Sequence, residues 1–436
     1  MTGLGSVVQI GRKSWIALPT AALIAGAGAM LPQSASAAQM SSHGRGTLIV
    51  STKGFDAGNC QRHSCKTLGF ALTQAHPNDT IIIFPGTYRE SRNANVVTPR
   101  LQGLTIKSTN GAARTVIDAS GNANGLLIEA SRVSVIGLTM KNANLEGILA
   151  QPPRSSWPKK PTSAPANISH VTIARNVVVH NDRAYNTHLP PDSACPSSLT
   201  DADDCGEGLH LMGVSWSKVT GNTVSHNVGG ILLSDGGFGI SVGPAAHNLI
   251  SRNQSTDNAF DCGITLPGHD PRAVATTGKN AGKPQPNLAG VYANTVVNNV
   301  SSRNGAAGLL DATPYPGTGA YDNVFAGNTA NGNGNSGFVL HSHAPLQDVS
   351  GLVVVGNRFG KNNLAGDPDT GVKPTTGVML LSIAVKVSVK VDGNQISNNV
   401  NGIAFNSNVK VVGHNKFANV TNRLFLYTPP PPAPAA

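Results

Sequence analysis

Two asparagines five positions apart recur along this chain, at Asn176/Asn181, Asn222/Asn227, Asn253/Asn258, Asn299/Asn304, Asn328/Asn333, Asn357/Asn362 and Asn394/Asn399 among others. A short β-branched stretch precedes each pair, such as Val171-Thr172-Ile173 or Val353-Val354-Val355. Most pairs are followed by a glycine and an apolar alternation, as in Gly208-Leu209-His210-Leu211, Gly230-Ile231-Leu232-Leu233 and Gly337-Phe338-Val339-Leu340. The step from pair to pair is about 30 to 45 residues, the length of one structural repeat. Strand, asparagine-marked turn and second strand make one coil of a solenoid, which buries its apolar face only against its neighbours. Asparagines at the same turn of successive coils can stack at the sheet spacing, about 4.8 Å. There they satisfy backbone groups where the chain bends inward.

Composition supports the strands. The 436 residues hold 41 Asn and 49 Gly, which form turns, but only 4 Glu beside 18 Asp, so a mostly helical fold is excluded. A charged share of 12%, about half the usual one, excludes a charged disordered chain and a coiled coil. The start reads as a secretory signal over residues 1–37: Arg12 and Lys13, an apolar run from Ile16 to Leu31, then Ser34-Ala35-Ser36-Ala37-Ala38. Cleavage after Ala37 removes two basic residues and lowers the net charge from +10 to +8. The expected location is secreted, periplasmic or cell-surface, with no membrane partner after cleavage. Residues 38–46 read as a flexible start, 47–425 as the repeat domain, and 426–436 as a proline-rich tail. In an oxidising compartment Cys60 pairs with Cys65 and Cys195 with Cys205, which leaves Cys262 as a buried small hydrophobe.

The segment Cys65-Lys66-Thr67-Leu68-Gly69-Phe70-Ala71-Leu72-Thr73-Gln74-Ala75, then Asn78-Asp79-Thr80-Ile81-Ile82-Ile83-Phe84-Pro85-Gly86-Thr87-Tyr88-Arg89-Glu90, carries a second signal. Together with the repeat it resembles the right-handed parallel β-helix proteins of the pectin-lyase-like class, over about residues 47 to 425. The resemblance implies an all-β, right-handed parallel β-helix solenoid, with an N-terminal capping helix followed by the first strand. It also implies lyase, hydrolase or epimerase activity on long, often acidic, glycans. Physics agrees on the cap: Leu68, Ala71, Leu72 and Ala75 share one helical face, and the open end of a solenoid exposes strand edges.

Insertions at 149–167, 182–207, 234–246, 267–288, 312–321 and 363–376 flank one strand column and are expected to wall a groove. Alignment on the glycines gives two outward columns. The second residue after Gly is Leu149, His210, Leu232, Thr265, Leu310, Val339, Met379 or Ala404. The fourth is Met212, Ser234, Pro267, Ala312, His341 or Asn406. Candidate catalytic residues are Glu207, His210, Asp235, Asp261, His269, Asp270 and Asp311. The segment from Asp261 to Pro271 leads, because one coil offers a carboxylate, an imidazole and a second carboxylate. There His269 would move a proton, and Asp would orient it or bind a cation. Against this, Asp261 can simply cap a turn, with His269 and Asp270 solvated in a loop. His341 and His343 share a strand face and make a candidate metal pair, with Asp311 as a third ligand. Trp157, Tyr185, Phe238 and Tyr315 are the loop aromatics available for sugar stacking.

These residues fit an enzyme on an extracellular polysaccharide, whose acidic forms a +8 surface would attract. The thin supply of carboxylates favours lyase- or epimerase-like proton abstraction over hydrolysis, which needs two of them at a set separation. A divalent cation such as calcium is the candidate cofactor for neutralising a uronate. The apolar outward column fits a second reading, a non-catalytic surface or glycan-binding protein whose column is covered by a loop or a partner. A third, a periplasmic accessory protein for metal-enzyme maturation, rests on His341 and His343. Nucleic acid is not an expected partner, because the basic residues are scattered.

Overall fold

The computed structural model of the chain describes residues 45–90, 94–181, 206–237 and 240–430. The expected signal segment and the Cys195/Cys205 pair fall outside them. Twelve parallel strands form a first sheet, from Thr47–Val50 to Val409–Val412. Two more columns begin at Gly86–Arg89 and Val96–Val97 and fuse in the eleven-residue strands Gln395–Phe405 and Lys416–Leu426. Consecutive coils pair in register, so one side-chain position repeats up the stack. In the first sheet Val219, Ile250, Val296, Phe325 and Val354 are successive partners, all buried in the shared core. The fold is a right-handed parallel β-helix.

The corners explain the asparagines. The residue before most of these asparagines is left-handed: Arg175, Arg252 and Asn298 in one row, His180, His226, Asp257 and Arg303 in another, with φ between 55° and 60°. The asparagine that follows points into the core. From Asn176 through Asn222, Asn253, Asn299, Asn328, Asn357 and Asn394 to Asn415, each amide donates to the next coil's Oδ1 at 2.8–3.1 Å. A second ladder runs from Asn181 to Asn399. A third, shorter row of Asn248, Asn294 and Asn323 lies at the remaining corner. Each of its members stands five residues before an asparagine of the first ladder, Asn253, Asn299 or Asn328, so the same spacing extends to this corner.

The first coil corrects the expected order of cap and strand. Thr47–Val50 precedes the helix and is the edge strand of the first sheet. Its outer edge is closed by the segment that the Cys60–Cys65 disulfide ties, with Ile49 N–H donating to Cys60 O and Cys65 N–H to Ile49 O, both at 2.8 Å. The helix Leu68–Gln74 then lays Leu68, Ala71 and Leu72 on the core. The Glu90 carboxylate accepts from Leu68 N–H (2.9 Å) and Gly69 N–H (3.0 Å) at its N-terminus, where an anion is favoured. Among the described residues no helix is long and apolar enough to cross a membrane.

Candidate functional site

The outward column forms as its glycine spacing requires. Leu149, His210, Leu232, Thr265, Leu310, Val339, Met379 and Ala404 are successive partners up the stack. Much of it lies under the chain's own loops. Val339, Met379, Leu381 and Ala404 pack with Val372 of the 363–376 insertion and with Tyr427, while Met212 packs with Ala166 and Val242 beside Trp157. This cover accounts for the apolar character of the column. Cys262 joins the first of these clusters as a free thiol, which burial and then Asp261 push well above its ordinary value.

Among the described residues, two groups of ionisable side chains remain beside the column. The first is Glu146, Glu207 and His210, half of the chain's glutamates in one place. Ile148 pairs with Leu209, so Glu146-Gly147 and Glu207-Gly208 stack on adjacent coils. One donor atom from each of the three residues lies within 4.8 Å of the others. His210 Nδ1 is 3.6 Å from Glu146 Oε1, and its Nε2 is 3.0 Å from Ser234 Oγ. On the next coil Gly229 takes the place of Glu207. A Cβ on Gly229 would lie 3.1 Å from Glu207 Cγ and 3.2 Å from Asp261 Oδ2, so the missing side chain lets both carboxylates reach one space. All three members of the first group are at least 95% buried.

The second group lines a cavity of about 660 Å³ through His341, Asp367 and Asp369, together with Asp261, Leu310 and Lys373. His341 stands on the strand Phe338–Ser342, with Nε2 3.1 Å from Asp367 Oδ2 and Nδ1 3.1 Å from Asp369 Oδ2. His343 Nε2 is 3.7 Å from the same Asp369 oxygen. Burial works against the His341 cation, but the Asp367 and Asp369 carboxylates outweigh it and hold the imidazole at about 9. Burial and the neighbouring His341 lower His343.

The leading segment is divided between two ends of a strand. Asp261 lines the cavity, whereas His269 and Asp270 lie beyond Ile264–Pro267, a strand on the order of 13 Å long. There the Asp235 carboxylate is fully buried and accepts from His269 N–H (2.7 Å), Asp270 N–H (3.1 Å) and Gly290 N–H (2.7 Å). Asp270 is held in turn by Arg272 Nη2 at 2.5 Å and by Ser241 Oγ at 3.0 Å. Asp235 and Asp270 thus clamp loops together. The solvated-loop reading of His269 and Asp270 also fails, since both are buried.

Asp311 departs from its expected place. It is the third residue after Gly308, so strand alternation turns it inward, between Leu266 and Leu340, where Asn323 Nδ2 donates to it at 3.3 Å. Burial pushes its carboxyl well above the ordinary range, and the third member of the histidine group is Asp369. Trp157 donates from Nε1 to Pro152 O at 2.9 Å, and the Tyr315 hydroxyl donates to His269 O, so both pin loops. Tyr185 and Phe238 lie outside the described residues. Glu146, Asp367 and Asp369 were missed. The twice-repeated Glu-Gly-apolar triplet was the signal for Glu146, and the Asp-rich 363–376 insertion was the signal for the aspartates.

No family model matches the chain, and no curated protein matches it. Among solved structures it is similar to an Azotobacter vinelandii mannuronan C-5 epimerase AlgE4 A-module, at 13% identity and a TM-score of 0.41, covering 80% of this chain and 89% of that one. Pectate lyase Pel9A shows 14% identity and a TM-score of 0.44, covering 86% and 78%. An alginate lyase from Paenibacillus sp. str. FPU-7 shows 14% identity and a TM-score of 0.40, covering 87% and 99%. The right-handed parallel β-helix that the sequence resemblance led us to expect stands on the chain's own stacked parallel sheets.

Proposed function

We propose that this protein is exported and acts on a polysaccharide lying along the outward strand column, with Glu146, Glu207 and His210 as its proton-transfer group. One observation carries the reading: two carboxylates and an imidazole from adjacent coils converge within 4.8 Å on the column that the loops flank. His210, set between Glu146 and Ser234, is arranged to take or give a proton, with Glu146 orienting the ring. Asp261, across the Gly229 gap, extends the same row toward the cavity. A row spread over several coils suits a polymer better than a small molecule. The β-helix neighbours that modify alginate and pectate agree with this substrate class. Proton abstraction from a uronate remains our choice over hydrolysis, because an imidazole stands at the centre of the group.

The near-complete burial of Glu146, Glu207 and His210 favours one other reading, a glycan-binding protein without turnover. A panel of uronate and neutral glycans separates the two. Unsaturated ends or inverted uronates are expected from wild type, with at least a hundredfold loss in Glu207→Gln and His210→Ala, in the range of general acid–base catalysis. Binding with no product from any glycan would leave only the binding reading, and neither binding nor product would end both.

A further inference from the structure

The geometry points to a divalent transition-metal site of the zinc type, made by His341 Nδ1, His343 Nε2 and Asp369 Oδ2 at the edge of the 660 Å³ cavity. It stands apart from the polysaccharide reading and shares no residue with the proton-transfer group. The three donor atoms lie within 4.8 Å of one another, with Asp369 Oδ2 3.1 Å from His341 Nδ1 and 3.7 Å from His343 Nε2. Ligands around a tetrahedral zinc, with bonds of about 2.0–2.1 Å, stand roughly 3.3 Å apart, so an ion can enter with small side-chain adjustment.

The supporting residues are built as such a site requires. His341 is buried at the end of a strand, and its other nitrogen meets Asp367 Oδ2 at 3.1 Å. A carboxylate on the far nitrogen of a metal-binding histidine fixes the tautomer and turns the free lone pair toward the ion. Asp367 is itself fixed: it is buried, and its Oδ1 accepts from Asp369 N–H at 3.0 Å and Thr370 N–H at 3.4 Å. The same turn therefore orients His341 through Asp367 and presents Asp369 as a ligand. His343, two residues along the chain, brings its ring to 5.2 Å from that of His341.

The donor set also selects the ion. Calcium takes six to eight oxygen ligands, which two imidazoles and a carboxylate do not supply, while zinc and its first-row neighbours accept N and O donors together. Three protein ligands leave a fourth position, as in zinc sites that bind a water or a substrate oxygen. His341, Asp367 and Asp369 line the cavity together with Asp261 and Lys373, so a hydroxyl or carboxylate of a ligand there can reach that position.

The test uses the purified chain after chelator treatment and dialysis, titrated with zinc chloride and, separately, with calcium chloride in a calorimeter. One equivalent of zinc is expected to bind and to raise the unfolding temperature, with calcium doing neither. His343→Ala and Asp369→Asn should each weaken zinc binding at least tenfold. Asp367→Asn should weaken it 10–100-fold through the orientation of His341. Asp369 is half-exposed on a loop and His343 is partly exposed at a strand end, so both variants should keep the wild-type unfolding temperature without zinc. No binding by wild type, equal response to calcium, or full affinity in both ligand variants would overturn the assignment.

Discussion

At the scale of the residue, the corners of this solenoid depend on a two-residue device. A left-handed residue turns the chain, which costs a non-glycine residue roughly 1–2 kcal/mol. The asparagine after it offsets that cost by satisfying groups that the bend leaves facing the core. Asn227 shows the accounting: its amide donates to Val178 O at 3.2 Å and Asn258 Oδ1 at 3.3 Å, and its Oδ1 accepts from Asn181 N–H at 3.0 Å. Asn227→Ala removes one partner from each and leaves buried polar groups unpaired. A loss of about 1–3 kcal/mol is expected in urea unfolding. An unchanged midpoint would mean that backbone pairing alone holds the corner.

At the scale of the element, the glycines that open the groove strands have a different use. Gly230 and Gly263 lie on neighbouring coils, and a Cβ on Gly230 would stand 2.1 Å from Gly263 O, so backbone approach forbids one. The three atoms nearest a Cβ at Gly229 belong to the side chains of Glu207 and Asp261. A larger residue there would fill the space those carboxylates share, with little demand on the backbone. We expect Gly229→Leu to lower glycan binding at least tenfold while the far-ultraviolet circular dichroism stays that of wild type. Retained binding would show that the ligand does not cross this gap. A loss of β signal would instead place Gly229 with Gly230 as a packing glycine.

At the scale of the whole molecule, the insertions are joined to one another as well as to the coils. Asp235 ties His269, Asp270 and Gly290, Asp270 ties Arg272 and Ser241, and Arg272 Nη1 reaches Ser163 O at 3.1 Å. Complete burial, then the Asp270 carboxylate, push the Asp235 carboxyl up to about 8 against three backbone N–H donors that lower it. A folded-state value raised above the unfolded one gives stability that is present below the ordinary carboxylate range and lost as pH rises through about 8. The unfolding temperature of wild type should therefore fall between about pH 5 and pH 9, by an amount on the order of a few kcal/mol in stability. Asp235→Asn should be less stable at the acid end and flatter across the window. Equal slopes in the two proteins would mean that other groups set the dependence.

The repeat, the inward and outward alternation and the asparagine corners were all legible in the sequence, because each is a local pattern that the pleat and the left-handed turn impose on every coil alike. Alternation even contained the correction for Asp311, since an odd step from Gly308 turns inward. What the insertions do was not legible. Whether His269 joins Asp261, which aspartate meets His341, and whether the apolar column is bare or covered depend on contacts such as Arg272 with Ser163, 109 residues apart. No periodicity constrains the path of an insertion, so only the packed structure decides that Asp367 and Asp369 stand beside the two histidines while His269 stays behind its clamp.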